Sequence, residues 1–581
     1  MKKSYLLFPL ALALLASCTD NSKKSSSVSS SDAKQEDAPT SSQSASSSKT
    51  SDATTKSSES ASPSSSEIVS SSDMSSGATS KSSGSTAQSS ASYADTSSSS
   101  SSSGVSGDYL ITEPTSITFM SNSSYEDLLN SFIKSFKEIE PNVTVTNTKE
   151  STSYDGVKDK VIESLTANNH PDMALLYPDA IGTLNDYSVV VQLDDYIDNA
   201  DYGWTDDEKD DFIESYLEEG TEYSVPGTYS LPFSKSTEGM FYNKDVIIGL
   251  NLSKQDPSIN GGMPLDEKYI NSLTWDELFD KLCPAIVAYN DTLDNDHKIL
   301  VDNAEYTKAI FGYDSDDNFF ITLAKQYGYG YTELDQTTGE GKLLFNIDDV
   351  DSDGDGKNDT NGMKQLMKKF KTAYDNGYLF TKGSSKGGNY TNYSFTARSC
   401  LFTIGSTGGL KYQVANDSSI NTAIARIPQA PVGEGHVEAT ISQGPSICIL
   451  DHKDENRALA SWLFYKHMTS EINCVRWAAE TGYSPIRYSA LEDDQYLDLC
   501  DENGKTGGTL DNLKARVASY VAQNDVTDTL YTSPVFKGSD EAREQVGGIV
   551  TTLFTADASK NTDAYINELF ATAENNIKTK M

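Results

Sequence analysis

SITFM (116–120), YEDLLNSFIKSFKEIE (125–140), VTV (143–145), DGVKDKVIESLTA (155–167) and MALLY (173–177) follow one another with only short polar breaks. The first, third and fifth segments are short, apolar and rich in strand formers. The second carries Leu128, Leu129, Phe132, Ile133, Phe136 and Ile139 at helical spacing, which predicts an amphipathic helix. Ser123 and Glu126 are spaced for a capping box at its start, and Pro141-Asn142 ends it. Asn168-Asn169-His170-Pro171 stops the next helix. Strand, helix, strand, helix, strand predicts a parallel α/β sheet.

The pattern continues toward the C-terminus. Thr274 and Glu277 form a capping box before Trp275, Leu278, Phe279 and Leu282, so Trp275 reads as a packing residue. Met363, Leu366, Met367, Phe370 and Tyr374 make a second apolar stripe, and helices are predicted over Ala458–Met468, with Trp462 in the core, and Asp563–Lys578. Strands are predicted at Leu401–Ile404 and Ile447–Leu450. The segment 108–581 is too long for one ordinary core, which predicts two lobes.

The N-terminus has another character. Lys2-Lys3, the apolar run Leu6–Leu15 and Leu15-Ala16-Ser17-Cys18 order a basic region, an apolar region and small residues, as an export signal does. The apolar run is too short to span a bilayer. Its ending resembles a bacterial lipobox, which implies a signal peptide over 1–18 and a lipidated Cys18. Residues 19–107 are dominated by Ser with few large apolar side chains. Such a segment cannot offset its ordering entropy and reads as a disordered tether, with a root-mean-square reach of about 50 Å.

A formal net charge of -39 argues against nucleic acid, whose phosphates need Lys and Arg. Cys283, Cys400, Cys448, Cys474 and Cys500 show no metal spacing and read mainly as buried thiols, one disulfide among them remaining open. The five histidines make no HExxH pair. Gly383-Ser384-Ser385-Lys386-Gly387 matches GxSxG by letter but sits in polar loop sequence, unlike a nucleophile elbow. Paired carboxylates stay open in so acidic a chain. Asp351, Asp353, Asp355, Gly356 and Asp359 follow a calcium-loop pattern, although Gly362 stands where an EF-hand places its bidentate Glu. The two readings are a structural Ca²⁺ site and a solvated acidic loop.

A series of motifs then carries a family resemblance. Glu140-Pro141-Asn142-Val143, Pro171-Asp172-Met173, Leu231-Pro232-Phe233-Ser234, Phe241-Tyr242-Asn243-Lys244-Asp245, Thr274-Trp275-Asp276, Gly405-Ser406-Thr407-Gly408, Gln443-Gly444-Pro445 and Thr481-Gly482-Tyr483 occur in this order. Together they resemble the extracellular solute-binding proteins of ATP-binding-cassette importers, of the carbohydrate and glycerol-3-phosphate type. The resemblance covers nearly all of 117–581. It implies an α/β, two-lobed periplasmic-binding-protein-like fold of class II, with crossing strands near Pro232-Phe233 and Pro445-Ser446. The expected lobes are 108–234 with 397–446, and 235–396 with 447–581. It also implies a monomeric carrier, not an enzyme, without a required cofactor, that delivers a small solute to a membrane permease. Its expected location is the outer face of a Gram-positive cell membrane.

By the same resemblance the ligand contacts are Tyr154, Ser236, Thr237, Glu238, Ser406, Thr407, Gly444, Tyr483 and Arg543. The chain departs from the family where an acidic residue is expected, giving Pro178 and Asp179, and where a cleft tryptophan is expected, giving Asp314 to Phe320. Asp179, Asp316, Asp317 and Phe320 are therefore added as candidates. Carboxylates repel phosphate and accept from sugar hydroxyls, so a mono- or oligosaccharide is expected over glycerol-3-phosphate or a glycerophosphodiester. The rival classes are a secreted glycoside hydrolase and a surface adhesin.

Overall fold

The computed structural model describes residues 109–581 other than 123–124, 152, 168, 352–355 and 502–506. Cys18, the Ser-rich segment and Ser123 lie outside the described residues. The described chain builds two α/β lobes.

The first lobe is a five-stranded sheet in the order β2-β1-β3-β13-β4. Its strands are β1 (Thr115–Asn122), β2 (Val143–Ser151), β3 (Met173–Leu176), β4 (Leu231–Pro232) and β13 (Ser446–Ile449). β1 pairs in parallel with β2 and β3, as the alternation predicts, while β13 runs antiparallel to β3 and β4. Side chains alternate across the sheet. Ile117, Phe119, Met173, Leu175, Ile447 and Ile449 join one core, with Phe132 and Phe136 of the Glu126–Ile139 helix and Phe464 of the Glu455–Met468 helix. Met120, Ala174, Leu176 and Cys448 join the other, with Val157, Val161, Ile181 and Leu184. Burial on both faces explains why these strands read as apolar runs. Arg457 fastens a covering helix to the sheet by two bonds to Asp172, at 2.6 and 2.8 Å.

The second lobe has strands β5 (Ser236–Asn243), β6 (Phe311–Tyr313), β9 (Leu379–Thr381), β10 (Phe402–Ser406), β11 (Thr422–Ala425), β12 (Thr440–Gln443) and β14 (Leu530–Tyr531). Their order is β14-β12-β5-β10-β6-β9, with β11 also on β5. A hairpin of β7 (Thr332–Asp335) and β8 (Glu340–Leu343) stands apart. Trp275, expected in the core, is fully buried there and donates from Nε1 to Gln326 Oε1 at 2.7 Å. Trp462 is likewise buried in the first lobe. Cys283, Cys400, Cys448 and Cys474 are buried thiols.

The sheets divide the chain differently from the expected lobe boundaries. Residues 402–443 belong to the second sheet through β10, β11 and β12, and β13 belongs to the first. The helices from Glu455 to Val521 pack in the first lobe's core, and only the last two long helices, Ser539–Thr555 and Asp563–Lys578, return to the second. The reason is that the chain crosses between lobes at 233–235, at 444–445 and again between the Leu510–Val521 helix and β14.

The first two crossings are tied together by one residue. Lys235 is fully buried, and its Nζ donates to Glu219 Oε2 at 2.5 Å and to the Gly444 carbonyl at 3.0 Å. Ser446 Oγ donates to the same Glu219 oxygen at 3.1 Å. Gly444 has φ 102, and a Cβ there would lie 2.1 Å from the Ser234 carbonyl oxygen, so the crossings approach only because it is glycine. Removing one partner of a buried ion pair strands the other charge. Lys235→Ala should lower unfolding stability by about 3–5 kcal/mol, read as a fall in the urea midpoint at unchanged slope.

Candidate ligand-binding cleft

Between the lobes lies a cleft of about 760 Å³. Its walls come from the head of the Pro178–Asp186 helix in the first lobe, the heads of the Asp316–Gln326 and Ser539–Thr555 helices in the second, and the β12–β13 crossing.

The Asp316–Gln326 helix shows how sequence builds the wall. Ser315 caps it, its Oγ accepting from the Asn318 N–H at 3.3 Å. Asp316 and Asp317 then fall in the first turn, where the helix dipole favours negative charge. Asp316 accepts from Thr381 Oγ1 at 2.5 Å, Thr551 Oγ1 at 2.9 Å and the Gly383 N–H at 2.7 Å. The GxSxG-like stretch is thus a structural loop that closes over Asp316. Its Ser385 hydroxyl is spent on the carbonyls of Lys382 and Asn389.

Arg543 sits at the centre of the charges. It lies 2.9 Å from Asp317 Oδ2 and 4.0 Å from Asp179 Oδ2, and it donates to Asn318 Oδ1. Burial opposes the guanidinium charge, but Asp317 and Asp179 outweigh it and hold Arg543 charged. Asp179 belongs to the first lobe, and its Oδ1 accepts from Ser539 Oγ of the second at 2.7 Å, so this carboxylate bridges the cleft. Burial raises the Asp179 pKa, against the pull of Arg543. Asn318 Nδ2 donates to Glu238 Oε1 at 2.9 Å and Gln443 Oε1 at 3.2 Å, linking the helix to two crossing strands. Burial pushes Glu238 up to about 7 although Tyr313 and Asn318 donate to it. Burial likewise pushes Asp314 up to about 6. Asp314 Oδ1 takes the Thr391 N–H and hydroxyl at 2.9 and 3.1 Å, and its Oδ2 accepts none among the described residues.

The sequence candidates separate into two groups. Asp179, Glu238, Asp316, Asp317, Ser406, Gly444 and Arg543 line the cleft. Tyr154, Ser236, Thr237, Phe320, Thr407 and Tyr483 do not. Phe320 is fully buried against Phe345 and Phe570, one turn deeper along the same helix as the acids. Tyr154 and Tyr483 meet through their hydroxyls at 3.2 Å, and Tyr154 packs edge-on behind Tyr177, which lines the cleft. Thr237 Oγ1 is spent on the Ile441 carbonyl at 2.9 Å, Thr407 Oγ1 accepts the Thr237 N–H, and Ser236 Oγ accepts from Ser406. These hydroxyls brace the wall from behind.

Tyr177, Asp314, Asn318, Lys382, Tyr390, Ser442 and Gln443 line the cleft and were missed by the sequence reading. The acid-rich helix start signalled Asp314 and Asn318, but nothing local marked Lys382 or Tyr390. Ser442 Oγ is buried without a hydrogen-bond partner among the described residues, which leaves it capacity for a bound polar group. Of the calcium pattern, Asp353 and Asp355 lie outside the described residues. Asp351 Oδ2 accepts the Gly356 N–H at 2.8 Å, and among the described residues no group of three or more His, Cys, Asp or Glu could hold a metal ion.

An interlobe cleft with polar walls suits the binding of a small polar solute. The profile of the bacterial extracellular solute-binding protein family matches residues 131–499, and the chain belongs to that family. Its fold is similar to UgpB from Mycobacterium tuberculosis in complex with glycerophosphocholine, at 18% identity over 80% of this chain and 97% of that one, with TM-score 0.56. It is also similar to the cyclic alpha-maltosyl-1,6-maltose binding protein from Arthrobacter globiformis, at 14% identity over 80% and 98%, with TM-score 0.56. Maltose-bound MalE3 of T. maritima gives 14% identity over 80% and 100%, with TM-score 0.53. These likenesses concern the fold. No curated protein matches the chain.

The buried Glu238 makes a pH prediction. Its pKa rises from 4.5 to about 7 on folding, so between those values the folded state keeps a proton that the unfolded chain has lost. Its contribution is full below the lower value and is lost as pH rises through the upper one. Glu238→Gln should therefore show a smaller fall in Tm than the wild type between those two pH values. Parallel curves for the two proteins would contradict the assignment.

Proposed function

We propose that the protein is the lipid-anchored capture subunit of an ATP-binding-cassette importer and that its solute is a neutral carbohydrate. The observation that carries the carbohydrate reading is the charge balance of the cleft. Eight carboxylates line it against three cationic side chains, Lys158, Lys382 and Arg543. Arg543 is committed to Asp317 and Asp179, and Lys382 Nζ lies 4.1 Å from the centroid of the Tyr390 ring. An anionic solute would meet a surplus of negative charge in a poorly solvated site. A sugar hydroxyl instead finds acceptors at Asp314 and Ser442, and a flat face at Tyr177.

Capture then needs only hinge closure about the crossings tied by Lys235. Cys18, lipidated, would hold the protein at the outer membrane face, with the Ser-rich segment as tether and a permease as recipient. The reading is of a carrier, so the bound sugar leaves unchanged. Binding of glycerol-3-phosphate or a glycerophosphodiester is the alternative on the same fold, and Arg543 is the group it would use.

A thermal-shift panel of neutral sugars, glycerol-3-phosphate and glycerophosphocholine separates these readings, because a ligand bound only by the folded state raises Tm. Neutral sugars should raise Tm and the phosphates should not. A shift with the phosphates that disappears in Arg543→Ala would establish the alternative. Sugar hydrolysis products would establish an enzyme. For the anchor, Cys18→Ala should release the protein from the cell surface into the medium.

A further inference from the structure

The segment 532–538 joins two elements of the second lobe, β14 before it and the Ser539–Thr555 helix after it, yet it leaves that lobe on the way. Val535 is buried in the first lobe's core with Ile181 and Tyr223. Its N–H donates to the Glu222 carbonyl at 2.8 Å, and it forms a parallel bridge with Tyr223. The Pro178–Asp186 helix is shaped to receive it. A Cβ on Gly182 would lie 2.3 Å from Val535 Cγ1, so the side chain seats against bare backbone.

Two further contacts join the lobes beside this seat. One is polar: Ser539 Oγ of the second lobe donates to Asp179 Oδ1 of the first at 2.7 Å, and Arg543 lies 4.0 Å from Asp179 Oδ2. The other is the β7–β8 hairpin, which pairs with neither large sheet. Phe536 packs on it at Gly341, and its turn at Gly339 abuts the Ser224 carbonyl, next to Tyr223. A hydrogen bond tolerates less than about 1 Å of stretch, so rotation that draws the two helix heads apart breaks the bond between Ser539 and Asp179.

We propose that these contacts form a clasp that holds the lobes together before a solute binds, so that the unliganded protein populates a closed arrangement alongside the open one. Asp179 is its polar tie and Val535 its apolar one. A solute that binds the closed arrangement gains affinity in proportion to the share of protein already closed, which makes the clasp a regulator of the cleft. That last step rests on the capture reading above, whereas the clasp itself does not.

The test uses no solute. Nitroxide labels at Glu163→Cys and Lys386→Cys report the lobe separation in a Cys18→Ala/Cys500→Ser background, where the remaining cysteines are buried. Distance distributions are compared with and without Asp179→Ala or Ser539→Ala. Asp179→Ala should lower the ratio of short to long distances about tenfold, the effect of losing a hydrogen bond to a carboxylate. Ser539→Ala should shift it the same way by less, since Arg543 still faces Asp179. A distribution that Asp179→Ala leaves unchanged, or shifts to shorter distances, would overturn the clasp. Ser539→Ala carries the same decision if Asp179→Ala does not fold. Because the readout concerns the lobes alone, the clasp can fail while sugar capture stands, and failure of every sugar to bind would leave the clasp in place.

Discussion

The buried contact of Lys235 with Glu219 and the Gly444 carbonyl is the constraint on which the two-lobed arrangement depends. It lies where two crossing segments meet, and it fixes both to the first lobe. A charge without solvent must be paired, so the crossings cannot drift apart without exposing an ion to an apolar interior. On the proposed reading, this tie would keep the connection in register while the lobes rotate. Glu219 also lines the cleft, which puts the hinge and the site in the same structural unit.

The cleft follows from how the helices are aimed. The Pro178–Asp186, Asp316–Gln326 and Ser539–Thr555 helices all present their N-terminal residues to it. Asp179, Asp316 and Asp317 suit those ends, and Arg543 prevents their charges from repelling one another unchecked. The result is a site whose charges are largely mutually satisfied, with spare acceptors at Asp314 and Ser442. On the proposed reading, such a site would distinguish solutes by hydrogen-bond geometry and by exclusion of anions.

Much of the fold was legible because its periodicities were undisturbed. The strand–helix alternation from Ser116 to Tyr177 became β1 to β3 with their helices, and the predicted final helix, Asp563–Lys578, formed with those bounds. The lobe boundaries were not legible. β12 and β13 are short strands separated only by Gly444 and Pro445, and local pattern cannot say that one belongs to each sheet. For the site, carboxylates at a helix start were readable as cleft residues because charged groups at a cap stay near the surface. Phe320 was not, since depth along a helix is set by what packs around it. Tyr154 and Tyr483 belong to the wall, but stand one layer behind its surface. Lys382 and Tyr390 come from loop sequence that only the tertiary fold brings to the cleft.

The central claim is that the lobes close on a bound solute. The direct measurement is the distance distribution between nitroxide labels at Glu163→Cys in the first lobe and Lys386→Cys in the second, both exposed positions, without and with a saturating saccharide. The account predicts a shift to shorter distances when the saccharide is bound. Identical distributions with bound and absent saccharide would contradict it.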